Sequence, residues 1–312
     1  MTRTIALTGA TGFIGSILVR RLINAGCEIR ALVRPTSKPN RHIGSGLHWI
    51  EGNLDDLDSL RRLVQHADII VHCAGAVRGN SQKQFNQINV EGVARLVHAA
   101  VEQHPLPRFL LISSLAAREP QLSPYAASKL QGEETLAAAS GDMFWAALRP
   151  SAVYGPGDRE VLPLIRWINR GIAPMLGSKD ARFSLLYVED LVEAVRCWVE
   201  QGGQSKGVFE IHDGHPQGYS MQDVIEVAGR LNPRRVLRLK VPLFFLKSVA
   251  VLNLAIAKVV GYNAMLSPGK VRELRHPNWA CDNTQLSREI GWKPRVALEE
   301  GLRRTLMWEA RR

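Results

Sequence analysis

The sequence predicts an α/β fold, a doubly wound parallel sheet with helices on both faces and a smaller lobe late in the chain. Two observations carry this. Apolar runs of strand character recur at about 28–33, 47–50, 69–73, 108–113 and 143–149, with helical patterns between them at about 56–66, 85–103 and 124–140. That alternation argues for parallel strands joined by crossover helices. The second is the start of the chain, where a short apolar run, Thr4 to Thr8, leads into a glycine turn and then an apolar-periodic stretch through Ala25.

The turn reads Gly9-Ala10-Thr11-Gly12-Phe13-Ile14-Gly15. Between a strand and a helix, such glycines let the backbone turn tightly and approach a ligand, while the helix N-terminus faces a pyrophosphate. The spacing is Gly-x2-Gly-x2-Gly rather than the Gly-x-Gly-x2-Gly common among dehydrogenases. The motif predicts a dinucleotide-binding sheet of Rossmann type.

The next strand, Glu28 to Val33, ends where an acidic residue would hold the ribose hydroxyls of NAD. Val33 stands there, followed by Arg34, with Ser37 and Lys38 close behind. Guanidinium and ammonium groups bind phosphate and carboxylates repel it. Arg34 and Lys38 therefore suit the 2′-phosphate of NADP(H), with NAD(H) the alternative.

Further on, a strand ends in Ser113-Ser114, and Tyr125 and Lys129 follow in Ser123-Pro-Tyr-Ala-Ala-Ser-Lys129. Four residues apart on a helix, the phenol and the ammonium share one face. The cation is expected to lower the phenol pKa and so make a proton donor and acceptor for a carbinol. His72, inside an apolar strand, reads as a satisfied core residue.

Beyond Pro150 the pattern loosens into pieces punctuated by Pro and Gly. Residues 1–150 are expected to form the nucleotide-binding domain, with segments at about 181–212 completing the sheet, and 151–312 mainly an interleaved substrate-binding lobe. Val241 to Gly261 is strongly apolar but broken by Lys247, Asn253 and Lys258, with Pro242 near its start, a poor spanning segment. Two readings stay open: a helix whose apolar face packs inward and lines the substrate pocket, or an interfacial helix that docks on anionic lipid.

The 312 residues carry a formal charge of +11. Cations run along the chain, with Arg234, Arg235, Arg238 and Lys240 clustered before the apolar stretch. No zinc-finger spacing, aromatic RNA-binding motif or helix-turn-helix accompanies them, so nucleic acid is not an expected partner. Cysteines at 27, 73, 197 and 281 are too scattered for a metal cluster or a disulfide framework, which indicates a reducing compartment. No signal peptide is apparent. The expected location is cytoplasmic, with peripheral contact to the inner face of a membrane under the second reading of 241–261.

These motifs, taken in order, resemble the extended short-chain dehydrogenase/reductase family, also labelled NAD-dependent epimerase/dehydratase. The matching residues are Thr8-Gly-Ala-Thr-Gly-Phe-Ile-Gly15, Gly52-Asn53-Leu54, Val71-His-Cys-Ala-Gly75, Asn89-Val-Glu-Gly92, Ser113-Ser114 and Tyr125-x3-Lys129. Arg149-Pro150 with Tyr154-Gly-Pro-Gly157, Tyr187-Val-Glu-Asp190 and the run from Asp282 to Leu302 complete the likeness.

The resemblance implies that Tyr125 is the general acid/base, that Lys129 tunes it and grips the nicotinamide ribose, and that Ser114 bonds the reacting oxygen. It also implies Gly9, Thr11, Gly12, Phe13, Ile14 and Gly15 around the pyrophosphate, and Asn53 and Leu54 at the adenine. Ala74, Gly75, Ala76, Asn89 and Pro150 complete the cofactor set. A homodimer through the helices that include the Tyr125 segment is implied as well.

Two departures bear on the substrate. Sugar-nucleotide enzymes of the family commonly carry Asn three residues after the Arg of the Arg149 segment, and here Ala152 stands there. Ten residues separate Ser114 from Tyr125, a shorter connection than usual. The expectation is an NADP(H)-preferring oxidoreductase on the hydroxyl or ketone of an apolar steroid-, lipid- or polyketide-like molecule, nearer the hydroxysteroid dehydrogenase and dihydroflavonol reductase branch. The alternatives are a nucleotide-sugar epimerase or dehydratase, and a non-catalytic nucleotide-binding sensor or scaffold.

Overall fold

The computed structural model describes residues 2–37, 45–201, 206–232 and 235–311. The first part of the chain runs β1 (Thr4–Thr8), α1 (Phe13–Asn24), β2 (Glu28–Val33), β3 (Leu47–Glu51), α2 (Leu57–Val64), β4 (Ile69–His72), α3 (Gln82–Asn89), α4 (Glu91–Val101) and β5 (Arg108–Ile112). Two 3-10 turns, Leu115–Arg118 and Pro120–Leu122, lead to α5 (Pro124–Ala139), β6 (Trp145–Pro150), β7 (Ala152–Tyr154), α6 (Leu162–Asn169) and β8 (Ile172–Met175). Then come β9 (Arg182–Phe183), β10 (Leu185–Tyr187), α7 (Val188–Glu200), β11 (Gly207–Ile211), α8 (Met221–Leu231) and β12 (Leu237–Lys240). The chain closes with α9 (Leu243–Val260), α10 (Pro268–Arg275), β13 (Asn278–Trp279), α11 (Thr284–Ile290) and α12 (Leu298–Ala310).

Seven parallel strands form the main sheet in the order β11-β6-β5-β4-β1-β2-β3. From β1 the chain winds outward through β2 and β3, then returns to β4 and winds the other way. The strand order thus switches between β1 and β4, the place where such sheets leave a crevice at their carboxyl ends. Within the 181–212 stretch, β11 enters this sheet beside β6, whereas β9 and β10 pair with β13 and β7.

The strands read as unbroken apolar runs because both faces are covered. Alternate residues point to opposite faces. Ile5, Leu7, Ile69 and Val71 pack under α1 and α7 with Leu18, Leu22, Leu191 and Trp198, while Ala6, Ile70, Phe109 and Leu111 pack under α2 and α4 with Leu60, Leu63, Leu96 and Val97. A separate apolar cluster around Tyr154, Ile165, Tyr187, Val224 and Leu302 gathers β7, α6, β10, α8 and α12.

The apolar stretch after Pro242 corrects one expectation. It forms α9, but its apolar face does not pack inward: within the helix Leu246, Ala250 and Ala257 are buried, while Phe244, Phe245, Val251, Leu252, Ile256, Val259 and Val260 are exposed. A helix apolar all round buries only the narrow stripe that meets a neighbour.

Candidate active site

Gly9 follows β1 with φ +73, a conformation that favours glycine. A Cβ there would lie 2.6 Å from Ala74 N, so the turn is pressed against the end of β4. Gly12 donates to Gly9 O at 2.9 Å and caps α1 without a side chain. At Gly15 a Cβ would stand 2.1 Å from Gly9 O, so the helix can start this close to the turn only with glycine. The first turn of α1 carries no acidic residue. Its N–H groups and positive dipole end therefore face the switch point with no carboxylate competing, an arrangement suited to pyrophosphate.

Opposite this turn, α5 starts at Ser123, whose hydroxyl accepts from Ala126 N–H at 2.9 Å, with Pro124 at the first helical position. The helix then carries Tyr125, Lys129 and Glu133 at successive four-residue steps, on one face. Lys129 is buried and its Nζ donates to Ile112 O at 2.9 Å, at the end of β5. A Cβ on Gly75 would lie 3.7 Å from that Nζ. The lysine thus ties the Tyr125 helix to the end of β5 beside the segment that follows β4, the segment against which Gly9 rests.

Glu133 is the partner that the sequence reading left out; its spacing from Lys129 puts it on the same helix face, but its own partners lie outside the helix. Its carboxylate, itself buried, accepts from the half-buried Arg149 at 2.6–3.1 Å and from the Ser113 hydroxyl. Ser113 is thereby committed inward. Ser114, one residue on, caps the first 3-10 turn through Ala116 N–H at 3.2 Å and hydrogen-bonds the Tyr125 phenol.

Burial is the largest influence on both groups of the pair, and it opposes charge on each. It pulls the Lys129 ammonium down to about 8 against the attraction of Glu133 and Cys73. Burial pushes the Tyr125 phenol up to about 12; the Ser114 hydrogen bond opposes this, and Glu273 and Glu160 add to it. The expected lowering of the phenol by Lys129 is therefore not what governs it. At neutral pH Tyr125 holds its proton and Lys129 its charge, which suits proton donation to an oxygen.

Asn89 braces rather than reaches outward. Its amide donates to Ala76 O at 3.0 Å and Ser128 Oγ at 2.9 Å, and its carbonyl oxygen accepts from Ala76 N–H at 2.8 Å, tying the loop after β4 to α5. Asn53 likewise turns its side-chain oxygen onto Asp55 N–H at 2.7 Å, which shapes the loop before α2, while Leu54 packs on Gly92. Arg34 is exposed just past β2, in a turn closed by Ser37 N–H on its carbonyl at 2.9 Å. Lys38 lies outside the described residues. Thr11 is exposed and Phe13 and Ile14 open α1; Gly157 comes close to the Phe13 ring, and Pro150 ends β6 in register with Ile211.

His72 is buried, as a core residue should be, but only half satisfied. Its Nδ1 meets Thr8 Oγ1 at 2.8 Å, while Nε2 has no partner among the described residues. Burial, with Lys129 nearby, pulls it down to about 3, so the ring stays neutral.

A cavity of about 170 Å³ lies beside Tyr125, between α3, α5, α9 and α10. Phe85, Leu254 and Met265 give it apolar walls; Glu273, held by Ser123 and by Lys270 at 2.9 Å, gives it a polar edge. The Phe85 and Tyr125 rings sit 5.9 Å apart. The sequence suggested 241–261 as a pocket wall, and Leu254 of α9 does line the cavity; α3 and α10 were not anticipated, because α3 is distant in sequence from α9 and α10 and meets them only in the fold.

Comparison with known proteins identifies the family. Residues 5–211 match the NAD dependent epimerase/dehydratase family. A "Ceramide reductase" of Caulobacter vibrioides is 31% identical over 97% of this chain and 93% of its own, and a "UDP-glucose 4-epimerase" of Vibrio cholerae is 24% identical over 98% and 95%. Among solved structures, "MoeE5 in complex with UDP-glucuronic acid and NAD" superposes with a TM-score of 0.76 at 24% identity, covering 99% of both chains. The chain is therefore an NAD-dependent oxidoreductase and belongs to the NAD dependent epimerase/dehydratase family.

Proposed function

We propose that the protein reduces the ketone of an apolar, lipid-like molecule, or oxidises the matching alcohol, with NADP(H) preferred over NAD(H). The observation that carries this reading is the cavity beside Tyr125, walled by Phe85, Leu254 and Met265 and continuous with an apolar helix. Its volume is below the roughly 300–1,000 Å³ of most small-molecule pockets, enough for the reacting end of a long molecule whose remainder lies along α9. The relative named for ceramide reduction supports the same substrate class. Ala152 supports it too, being exposed on β7 with only a methyl group to offer.

A bound nicotinamide supplies hydride to the carbonyl carbon in the reductive direction, or accepts it in reverse. The protein's part is the proton and its positioning. Tyr125, protonated at neutral pH, gives its proton to the carbonyl oxygen, Ser114 orients that oxygen, and Lys129 holds a positive charge beneath. Arg34, with Lys38, gives the preference for a 2′-phosphate.

The nucleotide-sugar reading rests on the epimerase relative and on the solved structure bound to a UDP-sugar. Fluorescence titration with NADPH and NADH, followed by turnover of apolar ketones and of UDP- or dTDP-sugars, decides between them. Tighter NADPH binding and ketone reduction are expected. Tighter NADH binding contradicts the role given to Arg34, and turnover of nucleotide sugars alone contradicts the substrate class.

A further inference from the structure

Helix α9 is about 27 Å long at 1.5 Å per residue and is long and apolar enough, by length and composition, to cross a bilayer. Its attachments hold it against the protein instead. Val241 N–H donates to Met175 O at its start, Asn253 donates to Leu266 O at 2.7 Å midway, and Asn80 bonds Tyr262 O and Ala264 N–H just beyond its end. The helix therefore lies along the body of the protein, with Phe244, Val251, Leu252 and Val259 facing outward. Contiguous exposed apolar surface of this kind marks an interaction site.

The charge around it says what the partner is. Between Glu226 and Glu273 the sequence has no carboxylate and nine lysines and arginines, which account for most of the net +11. The rest of the protein is close to neutral. Lys247 and Lys258 stand eleven residues apart, about three helical turns, on the same flank between the buried stripe and the outward face. Arg238 and Lys240 are exposed on β12, the strand leading into the helix, beside exposed Leu237 and Leu239. Among the described residues none of these four cations forms an ion pair. Apolar residues at the crest with lysines on the flank, free to extend toward headgroups, are the pattern of a helix lying in the plane of a membrane interface.

We propose that α9 docks the protein on an anionic lipid bilayer and that the substrate passes from the bilayer along α9 to Tyr125. Leu254 belongs to α9 and also lines the cavity, so the docked face and the reacting end adjoin. The docking half stands by itself; the delivery half rests on the function proposed above.

The test is flotation of the full chain with vesicles of phosphatidylcholine, alone or with about one-third phosphatidylglycerol. Binding at least about tenfold tighter to the anionic vesicles, weakened by salt, is expected. The double variant Phe244→Glu/Leu252→Glu should lose at least about tenfold in vesicle affinity while keeping its melting temperature, because both side chains are exposed. Lys247→Glu/Lys258→Glu should lose binding to anionic vesicles selectively. With a ketone dispersed in vesicles the Phe244/Leu252 variant should lose turnover, and with a short soluble ketone it should not. Equal binding to both vesicle types, or none, overturns the proposal. A concentration-dependent dimer that Phe244→Glu abolishes, without vesicle binding, overturns it in favour of a second copy. Vesicle binding without ketone turnover overturns the proposed function and leaves the docking intact.

Discussion

Replacing Lys129 by Met should make the protein more stable and inactive. A lysine that titrates at about 8 when folded, against 10.5 unperturbed, is held charged at neutral pH at a cost to the folded state. At about 1.4 kcal/mol per tenfold in the proton equilibrium, that cost is on the order of 3 kcal/mol. Met keeps the apolar stem and removes the charge. It also leaves Ile112 O without its 2.9 Å donor, a loss of about 1 kcal/mol. The net gain is about 2 kcal/mol, or roughly 3 °C in melting temperature for a chain of this size. The sign with pH is fixed. Between about 8 and 10.5 the unfolded chain binds the proton that the folded chain has released, so wild-type stability rises with pH across that window while the variant gains nothing from this site. Calorimetry of both proteins from neutral to alkaline pH should therefore show the variant ahead at pH 7 and its lead closing or reversing by pH 10. A variant less stable at pH 7, or a difference that ignores pH, would refute the reasoning.

The other predictions concern neighbouring parts of the same site. Tyr125→Phe should lower kcat about 10²- to 10⁴-fold and leave nucleotide affinity nearly unchanged, as read by fluorescence titration. The reductive rate should be flat below about pH 8 and fall above it as Lys129 discharges, since the phenol holds its proton until about 12; a limb near neutral pH would contradict this assignment. Gly15→Ala should destabilise by about 1–3 kcal/mol or more and abolish nucleotide binding, because the added methyl meets backbone at 2.1 Å, whereas Gly229→Ala on α8, with open space around it, should raise stability by up to about 1 kcal/mol.

Much of the fold could be read from the sequence because strands covered on both faces appear as uninterrupted apolar runs, and β2, β5 and α5 lie where the pattern placed them. The glycine turn was equally legible, since Gly15 is demanded by the Gly9 carbonyl six residues before it and the glycine spacing stands between a strand and a helix, although the close approach to Ala74 that demands Gly9 comes only with folding. Three things were not. Glu133 looked like an ordinary helical glutamate until folding set it against Arg149 and Ser113. The behaviour of Tyr125 depends on desolvation, which sequence spacing does not express; spacing showed that Lys129 is near, not that burial outweighs it. The orientation of α9 was undecidable from composition, because a helix apolar on every side gives no face to choose. Its surroundings decided it, through residues as far apart as Asn80 and Met175.

The most direct test of the whole account follows a single hydride. Wild-type protein is given NADPH deuterated at the transferable position together with a long-chain ketone in lipid dispersion, and the product is analysed by mass spectrometry. The account predicts one deuterium on the new carbinol carbon for each NADPH consumed, and the same labelling formed about 10²- to 10⁴-fold more slowly with Tyr125→Phe. A nucleotide sugar converted without net NADPH consumption, in place of any labelled lipid alcohol, would contradict it.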